Sequence, residues 1–245
     1  MEIVKVQEIN ITNITSSELN HHIKMSCDDN RKELILNVNV HAMNIAYEQK
    51  WFKDLLNGAY INFCDGDGVR IGAKILGKNI IEKITYNRWI WELAEYSSKN
   101  GLSWYTVGSE QHVMEKAIAV MREQFPDLKI VGHHHGYLSN KETEKDLVID
   151  IKKKSPNILI LGMGMPLQEK WIRKNIRELN FNVALTGGAT FEYIAGTAKM
   201  TPDIFYRLKL EWFYRFIKDP KRLFKRYFIG NPLFFWRIFR EKINS

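Results

Sequence analysis

The chain has 245 residues, 45% of them hydrophobic, a formal net charge of +8 and two cysteines. That length is enough to bury a substantial core. Cys27 and Cys64 exclude a disulfide framework, and no charged, apolar and small leader pattern opens the sequence, so a reducing cytosolic setting is expected. The longest apolar stretches fall short of the roughly 18–20 residues a spanning helix needs. The charge is placed unevenly: twelve basic and four acidic residues lie between Lys199 and the C-terminus, so this stretch carries the whole net charge and nearly half the aromatic rings. A balanced body with a basic, aromatic tail calls for an anionic partner, either a membrane surface or a nucleic acid.

In chain order, Glu2 to Thr12 alternates imperfectly and reads as an edge hairpin or strand, followed by a helix capped by Ser16 or Ser17. Strand-like apolar runs then fall at Glu33 to Val38, Tyr60 to Cys64, Ser103 to Val107, Leu128 to Val131, Asn157 to Leu161 and Asn182 to Leu185. Helix-length amphipathic segments separate them. This alternation predicts an α/β fold: a Rossmann-like, mostly parallel sheet covered by helices on both faces, occupying residues 1–198. After Gly196 the strands stop. Thr201-Pro202-Asp203 is a helix start with Thr as cap, and Phe205, Leu208, Trp212 and Phe216 fall on one helical face beyond it. Breaks are expected at Asp219-Pro220 and Gly230-Asn231-Pro232. Residues 199–245 are therefore read as a helical appendage suited to membrane association.

Open parallel sheets bind ligands beyond the carboxyl ends of their strands, where helix N-termini present free N–H groups. Val107-Gly108-Ser109, Gly162-Met163-Gly164 and Thr186-Gly187-Gly188 are glycine turns at such places. Each alone is an ordinary tight turn, but three on one rim point to a nucleotide diphosphate. Gly162-x-Gly164 lacks the third glycine and downstream acid of a dinucleotide fingerprint. Asp65 ends a strand at the same rim and is either a general base or the cap of the next helix. Asp65-Gly66-Asp67 offers two hard oxygens that suit Mg2+ or Mn2+. Asn37 and Asn39 share one side of their strand exit and either orient sugar hydroxyls or satisfy buried backbone. His133-His134-His135 alternates faces along a strand and makes a poor metal site, so no metal centre is assigned.

Five blocks in order resemble the WecG/TagA/CpsF family of glycosyltransferases: Asp65-Gly66-x-Gly68-Val69, Gly132-His133-His134-His135-Gly136-Tyr137, Gly162-x-Gly164-x-Pro166-x-Gln168-Glu169-x-Trp171, Gly187-Gly188-Ala189-x-Phe191-Glu192, and Leu210-Glu211-Trp212-Phe213-Tyr214-Arg215 with Pro220-x-Arg222. The resemblance implies inverting transfer of a hexose or N-acetylhexosamine from a UDP-sugar to an undecaprenyl-diphosphate-linked saccharide. It implies no cofactor, with Asp65 as base and Asn37 and Asn39 beside it. Gly108, Gly164, Gln168, Gly188, Phe191 and Glu192 are the implied donor-nucleotide residues. Arg215, Arg222 and Lys225 are implied to grip the acceptor diphosphate when the appendage closes. The expected place is the cytoplasmic face of the bacterial plasma membrane, peripherally bound.

The sequence departs from the family pattern where Asn37 stands for a usual Thr, Lys83 for Arg, Tyr86 and Arg88 for a Gly-x-Asp, and Asp67 for an apolar residue. The departures leave open the donor sugar and whether Asp67 recruits a metal beside Asp65. The competing classes are a basic nucleic-acid-binding module without catalysis and a homo-oligomer interface formed by the aromatic stripe.

Overall fold

The computed structural model describes residues 1–138, 140–208 and 210–244, with the side chain of Arg222 also outside the described set. The chain opens with β1 (Glu2–Val6) and β2 (Ile9–Asn13), an antiparallel hairpin that forms its own two-stranded sheet. Gln7 and Glu8 make the turn with positive φ at both residues, the geometry that matches the twist of paired strands. The helix α1 (Ser16–Asp28) follows, and its cap is Thr15 rather than Ser16 or Ser17. Thr15 and Glu18 form a reciprocal capping box, which satisfies two orphan N–H groups at once and so outcompetes a lone serine.

The remaining body alternates strand and helix: β3 (Glu33–Val38), α2 (Val40–Glu48), α3 (Lys50–Gly58), β4 (Ile61–Cys64), α4 (Asp67–Ile75), α5 (Tyr86–Lys99), β5 (Ser103–Gly108), α6 (Gln111–Gln124), β6 (Lys129–His134), α7 (Lys141–Lys154), β7 (Ile158–Gly162), α8 (Leu167–Asn175), β8 (Val183–Thr186) and α9 (Thr190–Ile194). Six strands pair in parallel in the order β4-β3-β8-β7-β5-β6. All six predicted strands are present, with Glu33 to Val38 unchanged and the other ends shifted by at most three residues. Their unbroken apolar character follows from burial on both faces. Along β3, Leu34, Leu36 and Val38 enter one core while Ile35 enters the other. The first core is closed by the hairpin, by α2, α3, α4, α7 and α8, and by Phe234 and Ile238 near the C-terminus; the second by α1, α5, α6 and α9. β3 pairs with β4 on one side and with β8 on the other, and β4 is an edge strand of the sheet.

The C-terminal stretch comprises α10 (Asp203–Arg207), α11 (Glu211–Lys218), α12 (Pro220–Phe224), a π-helical segment (Lys225–Gly230) and α13 (Asn231–Ile243). Three expectations are corrected here. Thr201 does not cap α10; Pro202 holds the cap position, and the Thr201 carbonyl accepts from Arg88. Phe205 and Phe216 do not share one helix, because the chain breaks between α10 and α11. Gly230-Asn231-Pro232 is not a break: Gly230 is itself helical, and Pro232 sits in the first turn of α13, where its missing N–H costs nothing. Among the described residues no helix is long and apolar enough to cross a membrane.

Candidate active site

A cleft of about 230 Å³ lies beyond the carboxyl ends of β3 and β4. Its floor is Asn39, Val40, His41, Asp65, Gly66 and Asp67, and its roof is Glu211, Trp212, Arg215, Arg226, Tyr227 and Phe235. The sheet rim and the C-terminal helices thus share one site. Parallel pairing of β3 with β4 puts Asn37 and Val38 beside Phe63 and Cys64, which delivers Asp65 to the exit beside Asn37.

Asp65 does not cap α4. Gly66 holds the cap position, with φ of +156°, a region that a Cβ-bearing residue rarely adopts. The Asp65 carboxylate instead accepts from Asn37 Nδ2 at 2.8 Å and, at 3.4 Å, from the Tyr86 N–H. Burial pushes its pKa above the usual carboxylate range, against the opposing pull of the Arg215 charge and the Asn37 hydrogen bond. A carboxylate that is more basic than usual and fixed at a cleft floor is equipped to take a proton.

Asn37 is buried, and its side chain is occupied at both ends. Its amide holds Asp65 at one end, and its Oδ1 lies 3.4 Å from Thr186 Oγ1 at the other. Asn39 lines the cleft, but its Oδ1 caps α2 by accepting from the Ala42 N–H at 3.1 Å. The Asp67 carboxylate pairs with Lys83 Nζ at 2.8 Å. Among the described residues no group of three or more His, Cys, Asp or Glu converges. Cys64 is buried, and its thiol pKa is pushed up to about 12, so it offers no thiolate as a nucleophile.

The donor-side residues divide in an unexpected way. Gln168 is fully buried; its Oε1 accepts from both Gly164 N and Gly188 N at 3.1 Å, while its Nε2 donates to Glu169 at 2.8 Å. Gln168 therefore staples two glycine turns together, and the N–H groups expected to face phosphate are spent on it. Glu169 is buried beside it, with its pKa pushed up to about 7 by desolvation. Gly108 is required by close approach, since a Cβ there would stand 2.4 Å from the Gly162 carbonyl oxygen. Phe191 is buried behind Gly162 rather than facing the rim. Glu192 is half-buried with one carboxylate oxygen unpartnered. Gly164 and Gly188 adopt positive φ with open space where a Cβ would be, so the rim is shaped for close approach even though its donors are used.

On the roof, Arg215 pairs with Glu211 and lies 5.7 Å from the Tyr193 ring centre. Lys225 is exposed, while Arg226 and Tyr227 line the cleft. The side chain of Arg222 lies outside the described residues. The π-helical segment explains the exchange of Lys225 for Arg226: its wider turn rotates the following side chains relative to a regular helix. Sequence periodicity assumes 3.6 residues per turn and misses such a shift. His41 was also missed. It lies in the first turn of α2, and burial with the nearby Arg226 charge pushes its pKa down to about 4, so it is neutral at physiological pH.

A basic, aromatic roof over a half-buried carboxylate at the carboxyl-end rim of a parallel sheet fits an enzyme that handles an anionic substrate. Residues 4–245 match the description "Glycosyl transferase WecG/TagA/CpsF family". The chain belongs to that family. Similar curated proteins include the N-acetylglucosaminyldiphosphoundecaprenol N-acetyl-beta-D-mannosaminyltransferases of Staphylococcus aureus strains MW2 and NCTC 8325 / PS 47, each 27% identical over 241 residues, which is 98% of this chain and 93% of the relative. The protein of strain MRSA252 is 26% identical over the same extent. Membership in the WecG/TagA/CpsF family favours a glycosyltransferase over the basic module without catalysis, and the match includes the C-terminal helices as well as the sheet.

Proposed function

We propose that this chain transfers a hexose or N-acetylhexosamine-type sugar from a UDP-sugar to an undecaprenyl-diphosphate-linked saccharide, with inversion and with Asp65 as general base. The observation that carries this reading is the Asp65 carboxylate: it is half-buried at the cleft floor, free of any capping duty, and faces the Arg215 charge that the C-terminal helices bring over it. Asp65 takes the proton from the acceptor hydroxyl as that oxygen attacks the anomeric carbon. The bond from that carbon to the diphosphate breaks on the opposite side, and UDP leaves with the electron pair. Inversion follows from the single displacement. Arg215 and Arg226 supply the positive field for the acceptor diphosphate. Lys83 neutralises Asp67, which favours metal-independent transfer. The names of the Staphylococcus aureus relatives support the lipid-linked acceptor; the donor sugar stays open because Lys83, Tyr86 and Arg88 depart from the family pattern.

The roof also carries Trp212, Phe213, Phe224, Phe228 and Trp236 at 40–54% exposure, interleaved with the basic residues. Such a face suits the headgroup region of an anionic bilayer, and we assign it to the cytoplasmic surface of the bacterial membrane. The test is turnover on a lipid-linked N-acetylglucosamine acceptor with a panel of UDP-sugars, with and without EDTA. Asp65→Asn is expected to lower the rate at least about a thousandfold while UDP binding persists. A near-normal rate in that variant removes Asp65 from the mechanism, and loss of activity in EDTA with rescue by Mg2+ or Mn2+ overturns metal independence.

A further inference from the structure

With Gly164 and Gly188 bonded to Gln168, the donor rim needs other polar groups. Two unpartnered hydroxyls flank the Gly187 turn. Tyr86 is 2% exposed and its hydroxyl has no partner; Thr190 is fully buried and its hydroxyl has none either. Both flank the Gly187 turn: a Cβ on Gly187 would stand 2.7 Å from Tyr86 Cε1 and 2.9 Å from Thr190 Cγ2. The backbone N–H of the same Tyr86 points at Asp65 Oδ1. Tyr86 thus runs from the base to the glycine turn, which is the span a transferred sugar must occupy between its attacking hydroxyl and its leaving diphosphate. A buried hydroxyl without a partner costs free energy and calls for an explanation. The neighbouring groups leave one, because the Tyr86 ring is locked by Phe63 at 6.2 Å and Trp89 at 5.5 Å and cannot turn its hydroxyl to solvent.

We propose that the Tyr86 and Thr190 hydroxyls form a donor subsite that hydrogen-bonds an oxygen of the UDP-sugar, with Tyr86 as a specificity-determining residue. The assignment rests on the transfer reading above. A site built to satisfy a substrate oxygen discriminates strongly against a donor lacking it, because its own hydroxyl is then stranded. Burial and the Asp65 charge both raise the Tyr86 pKa, so the phenol stays a proton-bearing donor across the working pH range.

The test compares wild type, Tyr86→Phe and Thr190→Val as full chains, measuring UDP and UDP-sugar affinity by calorimetry and kcat/KM across the donor panel. Both substitutions keep side-chain shape, and thermal unfolding checks the fold. Tyr86→Phe is expected to lower kcat/KM for the best donor roughly tenfold or more and to narrow its margin over poorer donors. If UDP binds as before and only the UDP-sugar is weakened, the contacted oxygen is on the sugar; if both weaken alike, it is on the diphosphate. Unchanged affinities and an unchanged donor ranking in both variants overturn the proposal while leaving the transfer reading intact. A wild-type chain that binds and uses no uridine nucleotide sinks both.

Discussion

The two parts of the C-terminal stretch are held by different forces. α13 is an anchor: Phe234 and Ile238 are fully buried, and Phe234 packs so closely on α4 that a Cβ on Gly72 would lie 2.8 Å from its ring. Gln7 reinforces it by donating to Glu241 at 3.0 Å and to the Phe234 carbonyl at 3.2 Å. The limb from α10 to the π-helical segment buries little beyond Leu223; α10, α11 and the π-helical segment contain no buried residue. What holds its near end is polar. The Tyr206 ring lies 4.2 Å from both Lys83 Nζ and Arg88 Cζ, and Arg88 also pairs with Asp203 at 2.8 Å. Cation–π contacts and a partly exposed pair such as Arg88–Asp203 each contribute about 0.5–2 kcal/mol, whereas a buried Phe contributes several. The anchor fixes where the limb attaches, and the limb's own contacts with the core are the weaker set.

The largest expected effect breaks the anchor. Phe234→Ala leaves a cavity against Gly72 and should destabilise the protein by about 3–5 kcal/mol, read as a lower midpoint in urea unfolding; a change below about 1 kcal/mol refutes the anchor. Truncation before Thr201 removes the anchor together with the limb and should behave like Phe234→Ala or worse. That corrects the simple division at residue 198, because α13 completes the core of the first unit. The limb answers differently. Arg215→Met should lower turnover about a hundredfold with little change in unfolding. It should also move the acid limb of the pH–rate profile upward: burial already raises the Asp65 pKa, and the Arg215 charge restrains that rise, so its loss lets Asp65 stay protonated to higher pH. An unmoved acid limb separates Arg215 from the base.

The difference between the two parts also marks where the sequence stops being legible. The six strands and the rim were readable because doubly buried parallel strands leave continuous apolar runs, and Asp65 was readable because it ends one of them. The roles of Asn39, Gln168 and Phe191 were not, since an amide or ring at a rim looks the same whether it faces a ligand or satisfies the turn behind it. Arg226 and Tyr227 were hidden by the π-helical turn. Phe234 and Ile238 were read with the basic appendage, because their partner Gly72 lies far away in sequence and has no side chain to show in a pattern.

Smaller effects sharpen the boundary. Replacing Trp212 and Phe213 by Ser should weaken binding to anionic phospholipid vesicles about tenfold and leave unfolding unchanged, since both side chains are 40–42% exposed; unchanged partitioning moves the lipid contact off the limb. The joint itself is Asn44. Its Nδ2 donates to the Gly230 carbonyl and its Oδ1 accepts from Arg237 Nη1, both at 2.9 Å, so one side chain ties the last turn of the limb to the anchor. Asn44→Ala should cost about 1–2 kcal/mol of stability and also lower turnover, because the π-helical segment that aims Arg226 loses its fixed end. A variant with the stability loss but full activity would place the aiming of Arg226 in the π-helical segment alone, independent of the anchor.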